Sequence, residues 1–164
     1  MRILSVLMVV VLISSAPLAL CNEPSSHTMN SAKFSVYPPT TLKWQAGPSS
    51  LPKGAQIAVM EGDPTKEGPF VFRVKVPDGY RIPPHTHPKM ERVTVISGTF
   101  NIGMGEKFDQ HATREMPAGT YGHWDTGMVH FVWIKGETVA QFHGIGPWSI
   151  QYFDPKDDPR NQKD

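Results

Sequence analysis

A chain of 164 residues is long enough for one domain with a real core. Its formal charge is +1, with 16 basic and 15 acidic residues scattered along it, which sets nucleic acid aside as a partner. A single cysteine, Cys21, excludes an intrachain disulfide and leaves no thiolate downstream to act as ligand or nucleophile. In chain order, Met1-Arg2 and the apolar run Ile3 to Ile13 come first, followed by the small, turn-prone stretch Ser14 to Ala19. This pattern predicts a secretory signal over residues 1–21, too short to span a bilayer as a mature helix. No membrane span is expected, and the destination is secreted or periplasmic. Leu18-Ala19-Leu20-Cys21 also resembles a bacterial lipoprotein box, in which Cys21 would carry a lipid anchor, although Leu20 is bulkier than such boxes favour. Residues 22–36 are polar and aperiodic at their start and read as a flexible tether.

The rest of the chain predicts strands. Sixteen prolines and fourteen glycines interrupt alternating apolar runs, which favours many short strands joined by turns. Ile57 to Met60 gives an early strand. Phe70, Phe72, Val74 and Val76 alternate with Val71, Arg73 and Lys75. Arg92 to Phe100 follows, bent at Ser97-Gly98, and Gly105 to Gln110 suits a single helical turn. Val129 to Ile134 and Thr138 to His143 flank Lys135-Gly136-Glu137, a hairpin connection by composition. Trp148 to Phe153 closes the domain, so that the barrel is expected over 37–155 and a loose charged tail over 156–164. Tyr121, Trp124 and Trp133 suit either a cavity mouth or packing between sheets. The fold class is all-β, a small antiparallel barrel of the jelly-roll type.

His85-Thr86-His87 carries the chemistry. Residues two apart on a strand share a face, so these imidazoles converge, and three further residues bring in the Glu91 carboxylate. Taken alone, such a pair is often two solvated histidines. The glycines change that reading: Gly79, five residues, His85-x-His87, three residues, Glu91, six residues, Gly98; then Gly119, five residues, Asp125-x-Gly127, two residues, His130. This resembles the two motifs of the cupin family, G-x5-H-x-H-x3-E-x6-G and G-x5-P-x-G-x2-H-x3-N. The first matches at every fixed position; in the second, Asp125 replaces the proline and Ile134 the asparagine. His123, also downstream of Gly119, competes with His130 as the last ligand but misses the motif spacing by one residue. The resemblance covers about Lys43 to Phe153 and implies the same jelly-roll barrel.

The resemblance implies that His85, His87, Glu91 and His130 bind one divalent transition metal (Fe, Mn, Zn, Ni or Cu), with His130 on a strand across the barrel. Two imidazoles and a carboxylate already make a borderline-hard donor set suited to such ions. Glu91 is the candidate base. Val139, Gln141 and His143 share one strand face; if it is the inner one, Gln141 and His143 line the cavity and His143 is a second catalytic candidate. Otherwise His143 is structural. His123 is a further candidate near the substrate. With open coordination positions, the site suits a mononuclear-metal oxidoreductase of the dioxygenase type acting on a small oxygenated compound. The alternatives are a non-catalytic exported module binding metal or a small ligand, and a metal-dependent isomerase or lyase. The resemblance also implies a homodimer.

Overall fold

Alternation in the Phe70–Val76 run has the consequence expected of it: Phe70, Phe72, Val74 and Val76 are buried, while Val71, Arg73 and Lys75 are half-exposed. The computed structural model describes residues 34–162, so the expected signal and most of the tether (22–33) lie outside the described residues. Among the described residues nine strands follow one another: β1 (Gln45–Ala46), β2 (Gln56–Glu61), β3 (Gly68–Val76), β4 (Arg81–Thr86), β5 (Glu91–Met104), β6 (Thr113–Pro117), β7 (Tyr121–Trp124), β8 (His130–Gly146) and β9 (Gln151–Tyr152). All belong to one antiparallel sheet that curls into the expected barrel. No helix among the described residues is long and apolar enough to cross a membrane.

The two longest strands organise the curl. β8 pairs with β3 along its second half (Phe72↔Phe142, Val76↔Thr138) and with β4 along its first (His85↔His130, Ile82↔Val132). β5 runs beside both halves, from Arg92↔His143 to Met104↔His130. The expected hairpin at Lys135-Gly136-Glu137 is therefore not present. Both flanking segments pair with β5 in the same sense, so the chain bends there without reversing. Gly136 has φ +73° and its N–H donates to Asp78 Oδ1 at 2.6 Å. A glycine in the left-handed region serves a bulge as well as a turn, which is why composition alone pointed to the wrong one.

Gly98 makes the matching corner in β5, at φ +76°. The extra residues at this bulge change which residues face inward: Val93 and Val95 are buried before it, Phe100 and Ile102 after it. A Cβ on Gly98 would collide with the Glu137 carbonyl and with Thr138, whose hydroxyl accepts the Thr99 N–H at 3.0 Å. Gly98→Ala is expected to cost at least about 2 kcal/mol, because left-handed strain and the clash add. A lowered midpoint in thermal or urea unfolding checks it.

Two shorter elements also differ from expectation. The turn placed at Gly105 to Gln110 falls at Gln110–Ala112 instead, where Asp109 Oδ1 accepts the His111 N–H at 2.9 Å and caps it. Of Trp148 to Phe153, only Gln151–Tyr152 pairs, against His85 and Thr86. The tail is not loose as far as Gln162. Pro159–Asn161 forms a 3-10 turn capped by Asp158, and Arg160 reaches back to the Ile150 carbonyl.

Candidate metal centre

Strand ends bring the site together. His85 lies near the end of β4, His87 just beyond it, Glu91 opens β5 and His130 opens β8. His130 comes from the neighbouring strand, not from across the barrel, since it is the Cα partner of His85. All four side chains are at least 96% buried. The imidazole ligand atoms of His85, His87 and His130 lie within 4.8 Å of one another.

Each ring is oriented from behind by a backbone carbonyl. His85 Nδ1 donates to Pro83 O at 2.7 Å, His87 Nδ1 to Ser149 O at 2.7 Å, and His130 Nδ1 to Met128 O at 3.0 Å. A carbonyl only accepts, so each Nδ1 carries the proton and each neutral ring turns its Nε2 lone pair toward the centre. The Nε2 atoms of His87 and His130 then face Glu91 Oε2 at 3.2 and 3.3 Å, and His87 Nε2 is buried without a hydrogen-bond partner. Such an electron-rich cluster needs a cation at its centre, either a proton on one Nε2 or a metal ion.

The electrostatics express the same need. Burial works against a charged His87, yet the Glu91 carboxylate outweighs it and raises the affinity of this ring for a proton. Burial alone would also raise the Glu91 carboxyl, but His87 and His130 hold it far below the usual carboxylate range. Burial and the neighbouring imidazoles push His85 well below the ordinary histidine value, so this ring stays neutral. Three neutral-capable imidazoles and one carboxylate fit a first-row divalent ion.

Two aromatic residues complete the centre. Trp124, the cross-strand partner of Glu91, donates its indole N–H to Glu91 Oε2 at 2.6 Å. Trp148 stacks on His87, with centroids 4.5 Å apart and planes at 15°. The sequence left Trp124 between two bland roles; the signal that finds it is the pairing of β7 with the start of β5, which no local pattern prints. Trp124→Phe removes a charge-assisted bond to a buried carboxylate. Metal affinity should fall about 10- to 100-fold with little change in secondary structure, read by metal titration and circular dichroism.

The other candidates lie elsewhere. Ala140 and Phe142 face the cavity, so Gln141 and His143 point to the outer side of β8. The structure thus corrects the inner-face option for His143, which packs near Tyr121 at a ring distance of 6.3 Å. Gln141 accepts from Arg73 Nε at 3.1 Å. His123 is exposed on β7, beside Arg92, and does not join the histidine cluster. The site opens on a cavity of about 400 Å³ inside the barrel.

Comparison with known proteins agrees with this architecture. The family model described as the ChrR Cupin-like domain matches residues 33–149. Germin-like protein 5-1 of Oryza sativa subsp. japonica is 32% identical over 92 residues, which is 56% of this chain and 41% of the relative. A second rice relative, 9-2, described as germin-like, is 27% identical over 77% of this chain and 46% of its own length. The chain thus spans under half the length of these curated relatives. The polyketide cyclase RemF from Streptomyces resistomycificus has a TM-score of 0.61 at 15% identity, over 77% of this chain and 90% of that one. An acetylacetone dioxygenase from Acinetobacter johnsonii has a TM-score of 0.57 at 15% identity, over 86% and 88%. At such identities the two structures speak for the fold alone, whereas the family model spans most of the chain: this protein belongs to the cupins, in the ChrR cupin-like domain family.

Proposed function

We propose that this cupin is a mononuclear-metal oxidoreductase of the dioxygenase type, acting on a small oxygenated compound that enters the barrel cavity. One observation carries the reading: three buried imidazoles, each fixed at Nδ1 by a carbonyl, aim their Nε2 atoms at one point beside Glu91. His85, His87, His130 and Glu91 would hold the ion. When bound, a redox-active ion such as iron supplies dioxygen chemistry, and zinc or nickel supplies Lewis-acid chemistry in the same place. Glu91 is the one carboxylate at the centre, held ionised by His87 and His130 and oriented by the Trp124 N–H. Held far below the usual carboxylate range, it is a weak base and would take a proton only from a substrate that the bound ion had acidified. The Trp148 ring shields His87 and the apolar walls keep bulk water from the centre.

Elemental analysis of the protein purified without added metal is the test, alongside the His85→Ala/His87→Ala variant. About one equivalent of iron, lost in the variant, together with oxygen uptake on a panel of small oxygenated compounds, supports the proposal. Zinc or nickel without oxygen uptake would move the assignment to lyase or isomerase chemistry. Absence of metal after reconstitution would sink the catalytic reading and leave a ligand-binding barrel. Export is proposed on the basic start and apolar run of Met1 to Ile13, with mass spectrometry of the mature N-terminus as its check, including any lipid on Cys21.

A further inference from the structure

The cavity is strongly graded in polarity. Its polar centre sits where β4 ends and β5 and β8 begin, and the buried walls beyond it are mainly apolar, with polar residues such as Gln45, Thr65 and Ser149 exposed. On β8, Val132 and Ile134 continue the inward face from His130, over about 13 Å of strand at roughly 3.3 Å per residue. Phe72 and Phe142 stack on each other at 5.3 Å beside Trp148, and Ala140 continues their side of the wall. Tyr80 also lines this space, but its hydroxyl is already used, donating to Pro52 O at 2.7 Å.

Apart from the histidines, the charged side chains among the lining residues are Glu91 and Arg160. Arg160 is engaged: its Nε and Nη2 donate to Asp158 at 2.8 and 2.7 Å. The polar lining residues Gln45, Thr65 and Ser149 are exposed and Ser50 is half-buried, so an anionic or polyhydroxylated body lying along the buried apolar walls would lose hydration that those walls do not replace.

We infer that the substrate class is an uncharged, mainly hydrocarbon compound with its oxygen donors gathered at one end, that end directed to the His85/His87/His130/Glu91 centre and the hydrocarbon body lying along Val132, Ile134, Phe72 and Phe142. The position of the oxygen end rests on the function proposed above, whereas the demand for an apolar body rests on the walls alone.

Two binding measurements on the full chain separate these parts. In the first, the metal-loaded protein is titrated calorimetrically with three chelators sharing a hydroxy-ketone donor pair: tropolone, hinokitiol (tropolone with an isopropyl group) and kojic acid, which carries a hydroxymethyl group. Metal content is measured before and after each titration. Burial of apolar carbon is worth about fourfold per methylene, so hinokitiol should bind roughly 50-fold tighter than tropolone, and kojic acid more weakly than either. In Val132→Thr, which is nearly isosteric, the preference for hinokitiol should shrink several-fold at unchanged metal content. In the second, the metal-stripped protein is melted with cumene, a hydrocarbon without donors, or with xylose. Cumene should raise the melting temperature and xylose should not.

Equal affinities across the chelators, a preference for kojic acid, or no response to cumene would overturn the apolar substrate class, even with one equivalent of metal bound. Stabilisation by cumene in a protein that takes up no metal would uphold the apolar selectivity and sink the metal reading instead.

Discussion

His130→Ala is expected to abolish oxygen uptake and to weaken metal binding more than about 100-fold, beyond the 10- to 100-fold typical of residues that only orient a ligand. The ring supplies one of three inward Nε2 atoms, and it does so from β8, whereas the other two lie at the end of β4 and just beyond it. Its loss leaves two imidazoles and a carboxylate, with His87 Nε2 and the Trp124 N–H as the remaining close partners of Glu91 Oε2. Metal titration, oxygen uptake and a thermal melt, made on the same preparation, check it. The melt guards against the trivial result of an unfolded variant. A His130→Ala protein that keeps wild-type turnover would remove His130 from the site, and a variant that merely holds metal less tightly, in a protein without turnover, would favour a binding module.

Phe131→Ala should have the largest effect on stability and none on metal stoichiometry. Phe131 is 1% exposed and faces away from the cavity, immediately after His130. Its ring lies against the backbone of Gly103, so closely that a Cβ on that glycine would overlap it, and it packs on Phe108 at 5.2 Å. Truncation leaves a void that a strand backbone cannot collapse to fill, costing about 3–5 kcal/mol. For a domain of this size that lowers the melting temperature by roughly 10 °C. Since the ring and the site lie on opposite faces of β8, one equivalent of metal should still bind well below the melt. Loss of metal at full folding would show that the two faces are coupled.

The pair His130 and Phe131 illustrates what one sequence can and cannot settle. The alternation of Phe70 to Val76 and the HxHxxxE spacing pointed to strands and to His85, His87 and Glu91, because period-two burial and motif spacing are local properties of the chain. His130, by contrast, was implied by the resemblance of the second glycine motif to the cupins. Gly98 and Gly136 were visible as special positions as well. What they do was not visible: a positive φ serves a hairpin or a bulge equally, and only the pairing of both halves of β8 with β5 makes Gly136 a corner. The face of His143 had the same character, since alternation puts it with Gln141 but does not say which side is inside. The partner β3, which sets Phe142 against Phe72 and leaves His143 opposite Val71, decides that. Trp124 on Glu91, Trp148 on His87, and the Ser149 carbonyl behind the His87 ring belong to the same group. Several of these contacts join residues tens of positions apart, and their existence depends on strand register, a long-range quantity that no window of the sequence contains.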